Sequence, residues 1–135
     1  MRTLGDLNWI NDYVGKIPYK FGGRDWDGVD CYGLAKLIYK EHYNIDLPDW
    51  VMDEVDLKTR DSLIAKAVCS GDFTEVDDPM DGDFVVCSRT RMAHHLGLFY
   101  AGGVLHGSDN GVVYEPLSRF SRKYVKVIFG KWEPS

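Results

Sequence analysis

The chain is poor in several things, and each shortage removes a class of protein. Cysteine is scarce: Cys31, Cys69 and Cys87 are an odd set without short regular spacing. That is no disulfide framework, and reduced thiols made in a reducing compartment are expected. No stretch approaches the roughly 20 apolar residues that a membrane span needs, so no membrane insertion is expected. Met1 to Asp6 lacks the apolar core of an export signal, being cut by Asp6 and Asn8, so no signal peptide is expected. Positive charge is in deficit, with 16 Lys and Arg against 21 Asp and Glu and a net charge of −5. A general nucleic-acid binder needs a basic face to release counterions from phosphate, so none is expected. Arg119, Arg122, Lys123 and Lys126 come close to a local basic patch. Repeats, low-complexity runs and linkers are missing too.

What remains reads as one domain over residues 1–135, with 44% hydrophobic and 13% aromatic residues to build a core. Leu4, Leu7, Ile10 and Val14 recur at helical spacing, with Thr3 as a possible cap. Gly15, Pro18, Gly22, Gly23 and Gly28 then predict a loop over residues 15–29. A second helix starts after Asp30, a good N-cap, and runs to about Tyr43; Leu34, Leu37, Ile38 and Cys31 form its apolar face, and Asn44 and Pro48 end it. A third helix is expected over Asp56 to Cys69. From Asp81 the period moves toward two. Strands are expected at Phe84–Cys87, His95–Tyr100, Val104–His106, Val112–Tyr114 and Tyr124–Phe129, with turns at Gly102-Gly103 and Asp109-Asn110-Gly111. Helices first and strands second, without βαβ alternation, point to α+β with an antiparallel sheet.

Cys31 carries the chemical interest. At the first turn of a helix, the positive end of the backbone dipole favours a thiolate, although the Asp30 carboxylate beside it pulls the other way. Its bland alternative is a small buried hydrophobe. A nucleophilic cysteine needs a base, and the base needs an orienting partner. His42 falls on the polar side of the second helix and is expected in solvent. Strand alternation puts His95, Gly97 and Phe99 on one face and His94, Leu96 and Leu98 on the other. A turn at Gly102-Gly103 sets His106 on the face of His95 but about four residues away, roughly 13 Å. Contact then needs a bulge, a slipped register or strong twist. Cys87, His94 and His95 as zinc ligands are the metal alternative, without paired ligand spacing; no metal or other cofactor is expected. Trp26, in the loop before Cys31, is a candidate wall of a cleft, and Cys69 and Cys87 are expected as packing residues.

Tyr19-Lys20-Phe21-Gly22-Gly23, Asp30-Cys31-Tyr32-Gly33-Leu34, Asp81-Gly82-Asp83-Phe84-Val85, His95-Leu96-Gly97-Leu98-Phe99 and Leu105-His106-Gly107-Ser108 stand in this order between Pro18 and Tyr114. Together they resemble the motifs of the NlpC/P60 cysteine peptidases. The resemblance implies a papain-like α+β fold with the nucleophile at a helix N-terminus packed on an antiparallel sheet. It makes Cys31 the nucleophile, His95 the general base and His106 its orienting partner, with Tyr19 near the oxyanion and Asp30 binding a substrate amine. Tyr32 replaces the small residue usual after the cysteine, and Phe99 stands where Tyr is frequent. Tyr32 and the stretch from Leu37 to Trp50 are similar to the bacteriophage tail branch of the family.

The resemblance further implies hydrolysis of a peptidoglycan stem peptide next to D-glutamate and diaminopimelate, without a metal. A tail component would be made in the host cytoplasm, join other phage tail proteins in the virion and open the wall locally during infection. An inert tail subunit that keeps the fold, and an acyltransferase, are the alternatives.

Overall fold

The computed structural model describes residues 7–47, 73–88 and 93–133. Helix α1, Cys31–Tyr43, begins and ends where its sequence dictates. The Asp30 side chain caps it by accepting from Gly33 N at 2.7 Å. Asn44 closes it in the left-handed region at φ 54°, a conformation that asparagine tolerates better than most residues. Cys31, Leu34, Leu37 and Ile38 are buried as the spacing predicts, joined by Tyr32, Ala35, Tyr39 and Tyr43. The two deeper tyrosines find partners for their polar ends. Tyr39 OH donates to Gly82 O at 2.5 Å, and the hydroxyls of Tyr43 and Tyr100 lie 2.9 Å apart.

The helix packs on a six-stranded antiparallel sheet made of β3 (Phe73–Val76), β4 (Phe84–Ser88), β5 (Ala93–Tyr100), β6 (Gly103–Ser108), β7 (Gly111–Pro116) and β8 (Lys126–Trp132). The strand order is β3-β8-β4-β5-β6-β7. Alternation sorts the side chains onto two faces. Phe84, Val86, Leu96, Leu98, Tyr100, Leu105 and Val112 join the helix in the main core. Val85, Cys87 and Val104 point the other way, onto Phe120 from the short helix Leu117–Ser121. Both faces are covered, which explains why Phe84-Val85-Val86-Cys87 is an unbroken apolar run.

Several expectations change. Among the described residues the first helix is a 3-10 segment, Asn8–Asp12, ended by Gly15 at φ 73°. Thr3 and the third helix, residues 56–69 with Cys69, lie outside the described residues. The loop over residues 15–29 contains a small hairpin, β1 (Arg24–Asp25) against β2 (Gly28–Val29), too short to leave a periodic signal. Strand β3 was not anticipated. It is four residues long, half-exposed, and pairs only with β8 among the described residues. Before β7, the backbone of Gly15 donates to Val112 O at 2.9 Å, and Val112 N donates to Ile17 O at 3.3 Å.

The most consequential correction is the β5–β6 turn. Tyr100 pairs with Gly103, so the turn residues are Ala101 and Gly102, at φ 48° and 79°, not Gly102 and Gly103. Two positive φ values are what a tight hairpin of the twisted kind demands. Ala101 is strained there by roughly 1–2 kcal/mol. Offsetting bonds surround it: Ala101 N donates to Asp81 Oδ1 at 2.9 Å, and Tyr114 OH donates to Tyr100 O at 2.7 Å. Gly103 belongs to the strand because the Tyr114 ring lies over it, 2.5 Å from where a Cβ would stand. Among the described residues, no helix is long and apolar enough to cross a membrane.

Candidate active site

Cys31 is the first residue of α1 and is 4% exposed. Asp30 secures this end of the helix. Its Oδ1 accepts from Gly33 N and from Arg24 Nη1 at 2.9 Å, and its Oδ2 accepts from Gly22 N at 3.0 Å. The carboxylate that worked against a thiolate is thus neutralised by Arg24, while the positive end of the helix remains. Strand β6 presses on the same backbone. A Cβ on Gly107 would lie 3.2 Å from Asp30 O and 3.7 Å from Cys31 N. Cys87 supplies a second bearing: its thiol is pushed up first by burial and then by the neighbouring Cys31. Since Cys87 is the direct cross-strand partner of His95, Cys31 stands close to the strand neighbours of both histidines.

His95 and His106 meet. His95 Nε2 is 2.9 Å from His106 Nδ1, with the rings edge to face. The turn shift explains how. Moving the turn back by one residue slips the register by two, so parity is kept while the separation halves. His106 then lies across from Gly97, two residues from His95. Gly97 is what lets the strands close: a Cβ there would stand 2.6 Å from Val104 Cγ1 and 3.0 Å from His106 Cβ. The pair occupies the face away from the body of α1, beside Phe120 and Tyr124.

Glu115 is the residue that sequence reasoning missed. It pairs with Val104 while His106 pairs with Val113, which makes Glu115 a diagonal neighbour of His106 on one face. His106 Nε2 is 3.4 Å from Glu115 Oε2, and Lys123 Nζ straddles the carboxylate at 2.9 Å from Oε1 and 3.1 Å from Oε2. Burial pushes the Glu115 carboxyl up, but bonds from Lys123 and His106 outweigh it and hold the group below its ordinary value. The turn is Asp109-Asn110 alone, not Asp109-Asn110-Gly111 as expected, and that one-residue difference sets His106 and Glu115 at matching parity.

His106 is 4% exposed, and burial lowers its pKa against the upward pull of Glu115. The unfolded chain therefore binds a proton that the folded chain refuses. The contribution of His106 to stability is present above about pH 6.5 and is lost as pH falls toward the folded value. Urea midpoints measured between about pH 5 and 7.5 should fall on acidification, and less steeply in His106→Asn.

Tyr19 is half-buried in the loop that bridges to Val29, and borders a cavity of about 430 Å³ shared with Gly15 to Pro18 and Asp109 to Gly111. Asp30 is 1% exposed, so a substrate amine would compete with the helix cap and Arg24 for its oxygens. Tyr32 is buried, with the Arg24 guanidinium 5.5 Å from its ring centre. Trp26 does not wall a cleft beside Cys31. Its Nε1 donates to Glu41 at 2.9 Å, and ten residues of helix put Glu41 about 15 Å along α1. Nor does His42 point into solvent: it stacks on Trp9 at 4.0 Å and lies 3.0 Å from Tyr13 OH. Cys87 packs inside as expected; of the zinc alternative, the His94 side chain lies outside the described residues.

A sequence profile described as the NlpC/P60 family matches residues 15–129. Among solved structures, the chain is similar to the NlpC/p60 domain of the peptidoglycan hydrolase SagA, at 19% identity and TM-score 0.59, over 90% of each chain. It is also similar to NlpC2 from Trichomonas vaginalis, at 17% identity and TM-score 0.62, over 95% of this chain and 44% of that one. No curated protein sequence matches. At these identities the likeness is one of fold, the papain-like arrangement of a helix packed on an antiparallel sheet. With most of its length inside the family profile, this chain belongs to the NlpC/P60 family.

Proposed function

We propose that the protein is a cysteine peptidase that hydrolyses peptidoglycan stem peptides, next to D-glutamate and diaminopimelate. The observation that carries the reading is the His95–His106 hydrogen bond at 2.9 Å, formed on strands that adjoin the N-terminus of the helix bearing Cys31. Family membership and the fold shared with a peptidoglycan hydrolase domain support the same class of activity.

In this mechanism His95 takes the Cys31 thiol proton at Nδ1, because its Nε2 is engaged by His106. The thiolate attacks the scissile carbonyl. Negative charge gathers on the carbonyl oxygen, toward the positive end of α1 and Tyr19. His95 returns the proton to the leaving amine, and a thioester remains on Cys31. Water, deprotonated by His95, attacks the thioester and releases the acid. Asp30 serves by holding Cys31 in place, with Arg24 balancing its charge.

The finer reading is a phage tail component, made in the host cytoplasm and carried in the virion beside other tail proteins, opening the wall during infection. Tyr32 after the cysteine and the stretch from Leu37 to Trp50 support it. Probing purified virions of an encoding phage for the chain tests this, and its absence there removes the tail role.

Mass analysis of peptidoglycan incubated with the protein tests the chemistry. New amino and carboxyl ends at a stem-peptide bond are expected. A transferred acyl group instead would make the protein an acyltransferase, and intact polymer would make it an inert subunit.

A further inference from the structure

We propose that Glu115 is a positioning residue that fixes the tautomer of His106 and, through it, leaves Nδ1 of His95 as the basic atom. The catalytic meaning of this assignment rests on the peptidase reading above; the tautomer itself does not.

His95, His106 and Glu115 sit on three adjacent strands, β5, β6 and β7, each two residues out of register with the next and all on one face. The line they form is a chain of two contacts, 2.9 Å from His95 Nε2 to His106 Nδ1 and 3.4 Å from His106 Nε2 to Glu115 Oε2. An ionised carboxylate only accepts hydrogen bonds. Lys123, against both oxygens of Glu115, favours that ionised form.

A neutral imidazole carries one N–H. If it sat on His106 Nδ1, the lone pair of Nε2 would face the carboxylate and repel it. The N–H therefore belongs on Nε2, directed at Glu115. His106 Nδ1 is then an acceptor, which requires the N–H of His95 to be on Nε2. That leaves His95 Nδ1 unprotonated, the atom that receives the thiol proton. When it does, the imidazolium charge is shared through its Nε2–H with His106 and balanced by Glu115 one ring further on. No proton has to reach the carboxylate.

At 3.4 Å the second contact is long for a hydrogen bond, so its effect is chiefly the orientation of His106 in the field of a partly buried charge. Glu115 is 13% exposed and His106 5% exposed at the side chain, so water competes little. Phe120, 4.8 Å from the His106 ring, closes one side.

The assignment is read by nitrogen-15 NMR of the histidine rings in the wild-type chain. His106 and His95 should both be Nε2–H tautomers at neutral pH. In Glu115→Gln, whose amide can donate as well as accept, the His106 signal should move toward a mixture of tautomers. Turnover of peptidoglycan fragments should fall about 10- to 100-fold in kcat with KM little changed, as for other residues that orient a functional histidine. Glu115 is not the determinant if wild-type His106 carries Nδ1–H, or if Glu115→Gln leaves both the tautomer and the pH profile of kcat unchanged. Should the wild type prove inactive on peptidoglycan, the peptidase reading fails, and the ring signals still decide the assignment of Glu115.

Discussion

Cys31→Ala is expected to slow the release of stem peptides from peptidoglycan by at least about a thousand-fold while leaving the fold in place. A thousand-fold is about 4 kcal/mol of transition-state stabilisation, a modest demand for removal of a covalent nucleophile. The fold should survive because alanine at the first position of α1 keeps the Asp30 cap and loses only one small buried group. The expected cost is about 1 kcal/mol, a few degrees in Tm. Chromatography of the soluble fragments gives the rate, and circular dichroism melts give the stability. Rates that agree between Cys31→Ala and the wild type would remove the peptidase reading altogether. Cys31→Ser refines the result: it keeps the shape but offers a poorer nucleophile, and should fall near the alanine variant.

Among the glycines of the described residues, Gly33→Ala should add the most damaging methyl group. An added Cβ would stand 1.9 Å from Gly23 O and 3.0 Å from Gly23 C, both backbone atoms that cannot rotate aside. Gly33 lies inside α1, where alanine is otherwise the better helix former, so space alone decides the outcome. To make room, the loop through Gly22, Gly23 and Arg24 must back away from the helix. That would break the bonds from Gly22 N and Arg24 to the Asp30 carboxylate and leave a buried charge short of partners. Overpacking and loss of the network together should cost about 3–5 kcal/mol, or roughly 10–20 °C in Tm. Gly22→Ala is the control. Nothing lies within 4 Å of its Cβ position, and only its φ of 76° is strained, so about 1–2 kcal/mol is expected. Thermal melts that rank Gly22→Ala as the worse variant would contradict the contact.

The two variants bracket what was legible beforehand. Helix α1 was legible at both ends to within about a residue, because Asp30 and Asn44 are local signals that act on their own backbone. The five expected strands exist, each running somewhat further than the alternation implied, apart from β8, which starts two residues later than expected. Hidden from the sequence were features that depend on neighbours. Ala101 occupies a turn position that composition assigns to glycine, since Gly103 is claimed by the Tyr114 ring. The two-residue error this caused is the whole difference between histidines 13 Å apart and histidines in contact. Trp26 and His42 were misjudged for the same reason: each is placed by partners far along the chain, Glu41 for one and Trp9 for the other. Glu115 was overlooked because an acidic residue on a strand has no local signature; only the ladder brings it to His106.

The segment from Gly15 to Ile17 has a consequence for how these molecules behave together. A sheet margin with bare amides and carbonyls is a template for another chain. Here β7 forms that margin, and Val112 has given both its backbone groups to Gly15 and Ile17 of its own chain. The strand then stops at Pro116, which has no amide hydrogen to offer. Edge-to-edge pairing of molecules through this border is discouraged from both ends.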